Sequence, residues 1–66
     1  SKSDHIEIVA TLFACWLRLL EKKSSVTEEQ LLKDFYAWSD EKKRFSRAEV
    51  LNGLSWMKTH LITPLV

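Results

Sequence analysis

The residues that could do chemistry in this chain are few: Cys15, His5, His60 and the adjacent carboxylates Glu28 and Glu29. A thiol beside an imidazole would make a nucleophile, and paired carboxylates would make a general acid and base. Cys15 lies between Ala14 and Trp16 on the apolar arc of a predicted helix, where a thiol acts as a small buried hydrophobe. His5 precedes the first full turn of that helix. His60 falls at the last turn of another, where a protonated ring would suit the helix's negative end. Glu28 and Glu29 are first-turn acids that match the positive end of a helix dipole. No Gly-rich phosphate loop and no Cys or His metal spacing occurs, so the sequence calls for no catalytic residue, metal, cofactor or small-molecule substrate. The expectation is a binding domain and not an enzyme.

Two groups of residues could bind. Lys42, Lys43, Arg44 and Arg47 bring four cations to a linker and the first turn of a third helix. In a helix-turn-helix protein that end of the recognition helix meets the DNA backbone, where free backbone N–H groups also favour phosphate. Asp40, Glu41 and Glu49 dilute the cluster, and a solvated loop is the favoured reading of it. The second group centres on Trp56. On a helical wheel it falls about 200° from Leu54, within a polar arc that holds Glu49, Asn52, Thr59 and His60. Either the tail folds over it through Ile62, Leu65 and Val66, or it anchors an interface, as Trp does in many binding hot spots. Tyr36 and Trp38 could extend or back that surface. A protein partner, self-association included, is favoured over DNA.

The elements that must position these residues are three helices, predicted at about 4–22, 28–41 and 47–60, with an extended tail over 61–66. Asp4 is read as the first cap, with Glu7 closing a capping box. Ile6, Ile8, Val9, Leu12, Phe13, Cys15, Trp16, Leu17, Leu19 and Leu20 then fill an arc of about 200°, wide enough to touch two neighbours. The first helix is therefore the central one. Thr27 with Gln30, and Ser46 with Glu49, announce the second and third helices by the same device, with Val26 and Phe45 as hydrophobic staples. The second helix carries Leu31, Leu32, Phe35, Tyr36 and Trp38 on one side and fades between Ser39 and Lys43. The inner stripe of the third is Val50, Leu51, Leu54, Met57 and Leu61. Pro64 forbids further helix and allows an edge strand or a packed tail.

The stretch from Arg44-Phe45-Ser46-Arg47-Ala48-Glu49-Val50-Leu51 through Leu54 to His60-Leu61-Ile62-Thr63-Pro64 resembles the third helix and first wing strand of winged-helix domains. It is similar in particular to the C-terminal winged-helix domains of eukaryotic replication-initiation proteins. The resemblance implies a non-catalytic module of a replication or chromatin-associated protein that contacts protein, DNA or both, in the nucleus. Two departures stand beside it. The linker from Ser39 to Phe45 exceeds the roughly three or four residues of a strict helix-turn-helix, and Val66 arrives before a β-hairpin wing. The expectation is an all-α three-helix core of helix-turn-helix type, with a wing beyond Val66 or none.

Composition agrees with one small folded domain over residues 1–66. Of 66 residues 45% are hydrophobic and 29% charged, with three Trp, too apolar for disorder. A net charge of +1 gives no whole-molecule attraction to nucleic acid or anionic lipid, so any such binding needs a local patch. One cysteine makes no intramolecular disulfide, which suits a reducing, intracellular setting. No apolar run reaches the roughly 20 residues of a membrane span. The remaining expectations are a structural fragment of a larger subunit or a homodimerisation domain.

Overall fold

The computed structural model describes residues 1–64. It is all-α, with three helices, α1 (Lys2–Glu21), α2 (Glu28–Trp38) and α3 (Arg47–Thr59), and a 3-10 turn at Asp40–Arg44 between α2 and α3. No strand occurs among the described residues. The core consists of Ile8, Leu12, Cys15 and Leu19 from α1, Leu31, Leu32 and Phe35 from α2, and Val50, Leu54 and Met57 from α3, closed by Phe45. α1 packs against both other helices, as the width of its apolar arc requires.

The caps of α2 and α3 follow the sequence. The Thr27 side chain accepts from the backbone N–H of Gln30 at 3.1 Å, although the Gln30 side chain bonds Asp34 instead of returning to the cap. Ser46 and Glu49 complete a capping box in both directions. α1 starts earlier than expected. Ser1 caps it, accepting from the backbone N–H of Asp4 at 3.3 Å, and Glu7 closes no box. The Glu7 carboxylate is drawn instead to Lys42 and Arg44, a long-range pairing that outweighs the local motif.

α2 ends at Trp38, short of the predicted 41, because Ser39 turns fully extended at φ −163° and ψ 160°. The chain then coils into the 3-10 turn, with the Ser39 carbonyl accepting from Lys42 N–H at 3.1 Å. Tyr36 Oη donates to the Phe45 carbonyl at 2.8 Å, tying the end of that turn back to α2. α1 and α3 both end in the same way. Ser24 N–H bonds the Leu19 carbonyl and Ile62 N–H bonds the Met57 carbonyl, the long-reach bond of a Schellman motif. Lys23 and Leu61 occupy the left-handed position in these motifs, each at φ 57°.

Leu61 therefore leaves the inner stripe that its spacing predicts and stands 86% exposed. The sharp exit turns the chain at the point where one more helical turn would have buried it. Pro64 is buried at the end of the described segment, which runs without strand pairing. Gly53 marks the closest approach of α3 to α1: a Cβ there would lie 2.6 Å from Ile8 Cγ2.

A candidate protein-docking face on the first and third helices

The basic residues are tied down more than their sequence cluster suggests. Lys42 is buried, and its Nζ lies 2.7 Å from Glu7 Oε2. The Arg44 guanidinium reaches Glu7 Oε1 at 2.7 Å and Asp4 Oδ1 at 3.2 Å, and its Cζ stands 4.2 Å from the Phe45 ring centre. Lys43 pairs with Asp40 at 3.5 Å on the surface. Arg47 is exposed beside Glu29, Lys33 and Tyr36. The four cations thus do not form one free patch: Lys42 and Arg44 fasten the 3-10 turn to α1, and Lys43 and Arg47 remain at the surface. The Lys42 ammonium bonded to Glu7 holds that carboxyl below its ordinary value of 4.5, with partial burial opposing. Arg44 does the same for Asp4, whose ordinary value is 3.8.

Trp56 stands out from the core, as its wheel position predicts, and is 37% exposed. Two imidazoles flank it. His5 from α1 meets its ring edge-on at 4.6 Å between centres, and His60 stacks on it at 4.5 Å. His60 Nδ1 lies 2.8 Å from the Trp56 carbonyl, which can only accept, so that nitrogen carries the proton. Glu49, Asn52 and Trp56 line one side of a shallow depression whose other wall is Ser1, Asp4, His5 and Ile8 of the α1 end. Thr59 is exposed and lines neither this depression nor the groove described next.

On its other side Trp56 borders an open groove of about 390 Å³ between α1 and the exit of α3, lined by His5, Ile6, Val9, Ala10, Phe13 and Ile62. Ile62 folds back toward Trp56 without covering it and is itself 39% exposed. The covering role considered for Leu65 and Val66 lies outside the described residues. The apolar surface continues along α1 to Leu17, which is 39% exposed, and Ile6 is 59% exposed.

Sequence reasoning located Trp56 and His60 but put Ile6 and Leu17, which are exposed, on the same apolar arc as the buried residues and half-buried Phe13. The signal was present in the width of the α1 arc. Contact with α2 and α3 buries Ile8, Leu12, Cys15 and Leu19, half-buries Phe13 and leaves Ile6, Ala10 and Leu17 exposed. The molecule measures only 16 Å in its thinnest direction, about two helices deep, so among the described residues no third layer covers that edge of α1.

Burial pushes the Cys15 thiol up to about 11, far from a thiolate nucleophile. Among the described residues no three His, Cys, Asp or Glu side chains gather to hold a metal ion, and no helix is long and apolar enough to cross a membrane. No family model, curated protein or solved structure matches the chain.

Proposed function

We propose that this domain is a non-catalytic protein-interaction module whose docking face is the outer edge of α1 together with Trp56 and Ile62. The observation that carries this reading is the apolar groove in which exposed Ile6, Ala10, Trp56 and Ile62 surround half-buried Val9 and Phe13. Apolar surface gathered in one concave place, with an aromatic at its edge, is the usual composition of an interface centre. The winged-helix relationship, and the nuclear replication or chromatin setting that it implies, is supported only by the sequence pattern from Arg44 to Pro64.

DNA binding is the weaker reading because the cations that it needs are engaged. With Lys42 and Arg44 paired to α1, Lys43 and Arg47 offer two phosphate contacts, which correspond to a salt slope of only about −1.8. The test is site-specific photocrosslinking in the cells that express the protein. A benzoylphenylalanine replacing Phe13 should give protein adducts, and one replacing Lys43 should give none. Nucleic-acid adducts at position 43, with nothing at position 13, would overturn the proposal in favour of the DNA module.

A further inference from the structure

We draw no further inference here: the strongest candidate, the apolar groove between α1 and the exit of α3 that Trp56 and Ile62 border, is the docking face already described, and nothing among the described residues shows what covers it.

Discussion

Glu7 accepts from both cations that hold the 3-10 turn, Lys42 from the buried side and Arg44 from the solvent side. Neutralising it leaves Lys42 in a buried place without a counter-charge, the costly half of breaking such a pair. Glu7→Gln should lower the melting temperature at neutral pH. Lys42→Met, which removes the buried charge and keeps its apolar stem, should lower it less or raise it, as paired thermal melts will show. The same contacts fix the acid response. Asp4 and Glu7 have folded values below their ordinary 3.8 and 4.5, so the unfolded chain takes up protons first as pH falls. The stability they provide is complete above the ordinary carboxylate range and is lost as pH drops through the lowered folded values. A melting temperature followed from pH 6 to pH 2 should fall across that interval, and Glu7→Gln should flatten the fall.

At the scale of elements, Gly53 and Leu61 act against their intrinsic preferences. Gly53→Ala in an exposed helix would stabilise by about 1 kcal/mol. Here the added methyl meets the β-branched, buried Ile8 at 2.6 Å and forces α3 away from α1. Overpacking of this kind costs about 1 to 3 kcal/mol, so the net change measured by urea unfolding should be destabilising. Leu61 is strained in the opposite sense. It holds a left-handed conformation with its side chain 86% exposed, so Leu61→Gly relieves strain and loses little packing. A gain of about 0.5 to 1 kcal/mol in urea unfolding should follow. These two positions also show what was legible in the chain. The starts of α2 and α3 were readable because Thr27, Ser46 and Glu49 act on backbone groups three residues away. The start of α1 was misread because Glu7 answers to residues 35 and 37 positions distant, which no local pattern reveals. The 3-10 turn has no apolar period to announce it. Trp56 was legible as an outward aromatic, whereas the α1 edge beside it was hidden inside an arc that looked uniformly buried.

For the molecule as a whole, a core to which the described residues give eleven apolar side chains supports a stability of about 3 to 10 kcal/mol at this length. Cys15 sits at the middle of that core, 1% exposed, and its thiol titrates at about 11. At pH 8 the folded chain therefore holds this sulfur as a shielded thiol. The unfolded chain offers the same sulfur with an ordinary thiol acidity. Alkylation of this single cysteine consequently proceeds through the opened state, and its rate relative to that of an unfolded chain counts the fraction of time the core is apart. Leu54→Ala, which truncates a fully packed side chain, should cost about 2 to 5 kcal/mol and raise that rate at least tenfold. Native Cys15 can thus serve as a label-based clock for core opening, with no engineered probe.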